Sequence, residues 1–261
     1  MDVPATVVIH PREIDAVVFD MDGVVTQTAS VHAAAWKSLF DAYLGERATR
    51  SGEPFRPFDV EADYLPYVDG KARYDGVRDF LGSRGIALPW GAPSDPPDAE
   101  TICGLGNRKN GYFLTEVREH GVRPYATTVR LIESLHAAGV HTAVISASKN
   151  TTAILEAAGV RDLFEAQVDG SVAEELGLPG KPDPAVFLEA TRRVGAGPDR
   201  AAVVEDAEAG VQAGRRGGFH LVIGVDRADH AAALREQGAD VVVKDLAQVT
   251  VAGASRPTPQ R

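Results

Sequence analysis

Residues 14–28, Ile-Asp-Ala-Val-Val-Phe-Asp-Met-Asp-Gly-Val-Val-Thr-Gln-Thr, constrain the chain more than any other stretch. Ala16 to Phe19 form a short apolar run, β-branched at its centre, that stops at Asp20 with Asp22-Gly23 behind it. A run of that length closed by a turn signal predicts a buried strand. Parallel α/β sheets present ligands at the carboxyl ends of their strands, which is where both carboxylates fall. Asp20 and Asp22 concentrate negative charge that repels itself when bare, and a hard cation with oxygen ligands such as Mg2+ resolves that. Gly23 permits a tight turn that a Cβ could obstruct. On this stretch alone, a strand ending in an ordinary Asp-rich turn accounts for the same residues.

Residues 1–13 read as a loose lead-in. After the opening strand, Thr28–Leu44 has helical spacing, with His32 and Trp36 four apart on one face. Residues 45–60 read as a polar loop, 69–73 as a glycine turn bearing Lys71 and Arg73, and 74–81 as a short helix. The Pro-rich stretch 89–99 excludes regular structure, and 106–120 reads as helix. From 127 the character changes. Helices are expected at 127–138, 150–158, 184–194, 208–216 and 231–237, with Asp183 as an N-cap and Pro184 at the first helical position. Strands are expected at 140–146, 164–169, 201–204, 221–225 and 240–243. That alternation predicts an α/β fold with a Rossmann-like parallel sheet and right-handed crossovers. The core comprises 1–29 and 121–252, interrupted after its first strand by an inserted α-helical cap at 30–120. The tail 253–261 is expected to be disordered.

The formal net charge of −10 over 261 residues argues against a general nucleic-acid surface, which needs a basic stripe. A single cysteine, Cys103, rules out an internal disulfide framework and reads as a small apolar filler in a reducing compartment. Met1-Asp2-Val3-Pro4 carries no basic region and no long apolar run follows it, so no signal peptide is expected. No apolar run approaches the roughly 20 residues that span a bilayer. A cytoplasmic protein without membrane or nucleic-acid partners is expected, and a monomer.

Polar residues stand at four places where a strand ends or a helix begins. Asp20 and Asp22 follow the first strand and Ser146-Ala147-Ser148-Lys149-Asn150 the second. Lys181 precedes a helix, and Glu205-Asp206 closes Val203-Val204. In a parallel sheet those ends share one edge. The inventory suits phosphoryl transfer. A carboxylate can be phosphorylated as the nucleophile, and a second can move a proton on and off a hydroxyl. Further carboxylates can hold Mg2+, while a Ser, a Lys and amides at a helix start bind phosphoryl oxygens.

These motifs resemble the four of the haloacid dehalogenase superfamily, and the insertion resembles its helical cap. Within the superfamily the chain is similar to the β-phosphoglucomutase subgroup over roughly 14–246. The narrower likeness rests on Ser146 to Asn150, His32 with Trp36, Gly70-x-x-Arg73, Arg108-Lys109-Asn110, and Val204-Glu205-Asp206 followed by Ala209 to Ala213. The resemblance implies Asp20 as nucleophile, Asp22 as general acid/base, and Mg2+ on Asp20, the Asp22 carbonyl, Glu205 and Asp206. It implies Ser146, Ala147 and Lys181 around the transferring phosphoryl group. Arg73, Ser148, Lys149 and Asn150 would hold a distal phosphate, with Gly70 in the Arg73 turn, and His32, Trp36 and Lys109 would face the sugar. The reaction implied interconverts β-glucose 1-phosphate and glucose 6-phosphate through the 1,6-bisphosphate.

Other readings stand beside these. Taken singly, Lys149, Arg73 and the Arg108-Lys109 pair read as solvated cations, His32 as a surface histidine, and Trp36 as cap core. The remaining histidines have no metal-ligand spacing and are assigned nothing. Gln27 stands where the family usually has Asp, bearing on the cap hinge. Ala207 stands where Ser is common, removing a hydroxyl beside the metal. A phosphatase acting on a sugar or polyol phosphate uses the same nucleophile and metal. A non-catalytic sugar-phosphate-binding domain is the third possibility, since fold alone does not guarantee chemistry.

Overall fold

The computed structural model describes residues 7–253, so the expectation for the tail lies outside the described residues apart from Gly253. In chain order the elements are β1 (Val7–Ile9), β2 (Ala16–Asp20), α1 (Ala29–Ser51), α2 (Val60–Tyr67), α3 (Arg73–Ser83) and α4 (Ile102–His120). There follow α5 (Ala126–Ala137), β3 (His141–Ile145), α6 (Thr151–Ala157), β4 (Ala166–Val168), α7 (Gly170–Leu176) and α8 (Ala185–Arg193). The chain continues through β5 (Ala201–Glu205), α9 (Glu208–Arg216), β6 (Leu221–Val225), α10 (Ala231–Glu236), β7 (Val241–Val243) and β8 (Val249–Val251). It divides into an α/β unit, running to Gln27 and resuming at Arg123, and a helical unit, Thr28–Val122.

In the α/β unit six parallel strands run in the order β4-β3-β2-β5-β6-β7. β2 lies at the centre and every one of its residues is buried, which is why it reads as a continuous apolar run rather than an alternating one. Its register sets Asp20 opposite Ile145 of β3 and Phe19 opposite Val204 of β5. The carboxyl ends of β2, β3 and β5 therefore stop level, with Glu205 as the last residue of β5 and Ser146 and Asp206 directly after their strands. Helices bury their apolar faces against the sheet, with Val18, Ile145, Val203, Phe187 and Val211 in one cluster.

The helical unit is built on aromatic packing. Trp36 and Phe40 stack at 5.2 Å with planes 8° apart, and Phe40 meets Phe80 at 4.1 Å. Phe58 and Leu105 complete the cluster.

Several elements differ from the sequence expectation. Residues 7–9 are not lead-in: they form β1, which pairs in parallel with β8. That contact joins the two ends of the unit, and three residues carry too little pattern to foretell it. Residues 45–60 are not all loop. α1 runs on to Ser51 and ends at Gly52, whose φ of 73° turns the chain out. The polar residues there are the solvated flank of a long helix. α2 then follows Asp59, its N-cap, whose carboxylate accepts from the Glu61 and Ala62 amides. α4 begins at Ile102 because Thr101 caps it, its hydroxyl accepting from the Gly104 amide at 2.9 Å. α7 was not foreseen, although Asp169, expected as the end of a strand, caps it at 3.0 Å. Pro184 occupies the N-cap position of α8 rather than its first turn, and Asp183 accepts the Ala185 amide at 2.9 Å.

Candidate active site

The turn after β2 is closed on itself. The Gly23 amide donates to the Thr26 carbonyl at 2.9 Å, and the Val25 and Thr26 amides donate to the Met21 carbonyl. Gly23 has φ +80°, and a Cβ on it would stand 1.7 Å from Asp206 Oδ2. Glycine is therefore required twice over, for the backbone angle and for the approach of the β5 loop. This turn fixes Asp20 and Asp22 at the sheet edge.

Lys181 reaches that edge from the segment before α8. Its Nζ lies 2.5 Å from Asp20 Oδ1 and also donates to Glu205 Oε1. The Lys181 side chain is only 5% exposed, Asp20 is buried, and Glu205 is wholly buried. Glu205 is held on its other oxygen as well, where the Ala207 amide donates to Oε2 at 2.7 Å. The α9 helix can pass this carboxylate only because residue 210 is Gly: a Cβ there would meet Glu205 Oε1 at 1.8 Å. Ala207 lacks a hydroxyl, yet its amide fixes Glu205.

Carboxylate oxygens of Asp20, Glu205 and Asp206 all lie within 4.8 Å of one another. One buried ammonium does not neutralise three carboxylates. Burial pushes the Asp20 carboxyl well above the usual carboxylate range; Lys181 opposes this, while Glu205 and Asp22 add to it. Burial also opposes charge on Lys181, but Asp20 and Glu205 outweigh it and hold the ammonium protonated. Hard oxygen donors with surplus negative charge fit Mg2+.

Ser146 follows β3, and its hydroxyl donates to Asp22 Oδ2 at 3.2 Å while accepting the Ser148 amide at 3.1 Å. Ser148 in turn accepts the Asn150 amide at 3.1 Å. Residues 146–150 thus form a tight loop before α6, with Ala147 exposed. Lys149 is exposed and paired with Glu174.

The helical unit assembles its own polar group. Lys109 is 4% exposed, not a solvated helix-face cation. Its Nζ donates to His32 Nδ1 at 2.7 Å and lies 4.7 Å from the Trp36 ring centre and 5.1 Å from that of Phe113. Because an ammonium only donates, His32 Nδ1 accepts and the ring proton belongs on Nε2. His32 stacks on Phe113 at 4.2 Å. His32, Trp36 and Lys109 are therefore one cluster on α1 and α4. Arg73 lies apart from it at the start of α3, after the left-handed turn at Gly70. Its Nη1 approaches Asn107 Oδ1 at 3.4 Å, and burial lowers its pKa.

Three residues were missed by the sequence reading. Asn107 accepts from Tyr74 at 3.0 Å and donates to the Pro93 and Asp95 carbonyls at 3.0 and 2.8 Å, pinning the Pro-rich loop to α4. His230 Nε2 lies 3.1 Å from the Asp206 carbonyl, although no histidine outside the cap was assigned anything. Arg227 donates to the Gly23 carbonyl at 2.9 Å and stacks 3.8 Å from the Tyr125 ring centre. The only available signal for these two was their place just beyond β6, at the same sheet edge. Gln27 makes a long contact to the Pro124 carbonyl at 3.4 Å. No helix among the described residues is long and apolar enough to cross a membrane.

The haloacid dehalogenase-like hydrolase family model matches residues 14–218. A β-phosphoglucomutase of Mycobacterium bovis is 50% identical over 242 residues, covering 92% of this chain and 92% of its own. A β-phosphoglucomutase of Bacillus subtilis is 28% identical over 238 residues, covering 90% and 92%. The crystal structure of a β-phosphoglucomutase from Clostridium difficile superposes with a TM-score of 0.69 at 24% identity, covering 90% and 92%, a likeness of fold.

Proposed function

The chain belongs to the haloacid dehalogenase superfamily, in its β-phosphoglucomutase-like subgroup, and from that premise we propose that it is a Mg2+-dependent mutase interconverting β-glucose 1-phosphate and glucose 6-phosphate. The observation that carries the chemistry is the buried Asp20–Lys181–Glu205 assembly, with Asp206 beside it and Asp22 on the same turn. A binding module has no use for so charged a buried cluster, which costs several kcal/mol per uncompensated ion.

Asp20 is the nucleophile. One of its oxygens bonds to phosphorus as the bond from phosphorus to the sugar oxygen breaks, giving an aspartyl phosphate. Asp22 donates its proton to the departing sugar oxygen, and takes one from the attacking hydroxyl in the reverse direction. The hydrogen bond from Ser146 orients the Asp22 carboxyl for that exchange. Lys181 offsets the charge of Asp20 and faces the phosphoryl oxygens. Asp20, the Asp22 carbonyl, Glu205 and Asp206 would hold Mg2+, which when bound neutralises charge on the transferring group. Glu205 is the most rigid of these, being fixed through both oxygens.

In the mutase cycle the phosphoryl group passes from Asp20 to the 6-hydroxyl of β-glucose 1-phosphate, whose proton goes to Asp22. The bisphosphate reverses end for end and returns its 1-phosphoryl group to Asp20, leaving glucose 6-phosphate. A phosphatase needs one anion site, whereas this cycle needs two. Half-buried Arg73 supports an anion contact on the helical unit, and Ser148, Lys149 and Asn150 are the candidates for one on the α/β unit. Buried Lys109 and the His32 ring it donates to support polar recognition of a sugar, with Trp36 packed between Lys109 and Phe40 as their apolar backing.

The test is a coupled assay with β-glucose 1-phosphate, Mg2+ and a trace of the 1,6-bisphosphate, following glucose 6-phosphate and free phosphate together. Glucose 6-phosphate with little free phosphate is the expected result. Free phosphate as the main product would replace the mutase with a phosphatase.

A further inference from the structure

The helical unit contains a cavity of about 460 Å³, formed by the C-terminal half of α1, the segment leading to α2 and the turn after α3. Its charged lining is Arg47, Arg56 and Arg84 against Glu53. That is a local positive excess in a chain of net charge −10. Arg84 is fixed, donating to the buried Asp63 at 2.6 Å with its guanidinium 5.1 Å from the Phe80 ring centre. Arg56 and Arg47 make no direct ion pair among the described residues, although the Arg47 charge is felt by Glu100. Arg50, also on α1, is tied to Glu100 at 2.8 Å instead. Leu44 and Ile86 supply an apolar wall.

Guanidinium forks match phosphoryl oxygens in geometry and charge. A cavity of this size takes a small organic ligand, and the apolar wall favours one with a body over inorganic phosphate. Along α1, Arg47 stands about 16 Å from Trp36 at the helical rise, so this cavity is separate from the His32–Lys109 cluster. We propose that the cavity binds a small organic phosphate, its phosphoryl group on Arg47 and Arg56 against the fixed Arg84, and its body on Leu44 and Ile86.

The test is calorimetric titration of the full chain in EDTA with AMP and inorganic phosphate in turn. Wild type is compared with R47S/R56S and, because Arg56 is exposed and tolerant, with R56E alone. An organic phosphate is expected to bind wild type and to bind each variant about tenfold or more weakly. Melting temperature and phosphotransfer activity should stay at wild-type levels in both variants, so lost binding is not lost folding. Equal affinity in wild type and variants would overturn the proposal. So would binding of inorganic phosphate alone, or no binding at millimolar ligand.

Discussion

Replacing Gly210 with Ala sets two effects of opposite sign against each other. Gly210 lies inside α9 without a left-handed φ, so Ala should gain about 1 kcal/mol of helix propensity. A Cβ there, however, would stand 1.8 Å from Oε1 and 2.1 Å from Cδ of Glu205. Glu205 has nowhere free to go: it is wholly buried, gripped by Lys181 on one oxygen and by the Ala207 amide on the other. Displacing it breaks a buried ion pair, worth about 3–5 kcal/mol when one partner is lost, and leaves a buried amide unmet, about 1–3 kcal/mol. A shift of α9 relieves part of the overlap. After the propensity gain, the net loss is about 2–5 kcal/mol, lowering the melting temperature by roughly 5–15 °C. Because Glu205 supports both Lys181 and the carboxylate cluster, phosphotransfer should fall about a hundredfold. Thermal melting by circular dichroism, paired with the coupled assay, reads both quantities. An Ala variant as stable and as active as wild type would refute the account of how Glu205 is held.

Gly23→Ala drives a Cβ onto Asp206 and strains a φ of +80°. It should shift the Mg2+ concentration for half-maximal activity upward about tenfold or more, and an unchanged Mg2+ dependence would count against Asp206 as a ligand. Asp20→Asn should abolish activity yet raise the melting temperature of protein in EDTA. Burial raises the Asp20 pKa, so its contribution to stability is present below the ordinary carboxylate range and is lost as pH rises through the folded value. The advantage of the Asn variant should therefore widen with pH, and a constant or shrinking difference would contradict that sign. Arg73→Ala should lower mutase turnover about a hundredfold, the scale of two charge-assisted hydrogen bonds, while Asp20 still accepts phosphate from a small donor. Unchanged turnover would remove Arg73 from the distal site.

The α/β order and the sheet edge were legible because buried parallel strands are short apolar runs that stop abruptly. Phe19-Asp20, Ile145-Ser146 and Val204-Glu205 each mark such a stop. Register then brings those ends level, so Asp20, Glu205 and Asp206 could be grouped from sequence, and Lys181 stood out as an isolated cation before a proline. What was not legible depends on contacts distant in sequence. β1 makes sense only beside β8, and three residues alone carry no period. The extension of α1 to Ser51 is disguised by its polar flank, and Gly104 hides the start of α4. Asn107 acts through bonds to the Pro93 and Asp95 carbonyls and His230 through one to the Asp206 carbonyl, and such contacts leave no mark in composition or spacing. Lys109 reads as a surface cation beside Arg108 until helix phase turns it onto Trp36 and Phe113.

Phosphorylation of Asp20 is the step that the mutase and phosphatase chemistries share. It is read directly by incubating the protein with Mg2+ and acetyl phosphate, reducing the product with borohydride, and locating the modified residue by peptide mass spectrometry. Modification at Asp20 alone, absent when Mg2+ is withheld and absent from Asp20→Asn, is the predicted result. Modification at Asp22 or Ser146, or none in a preparation that turns over sugar phosphate, would contradict the assignment of the nucleophile.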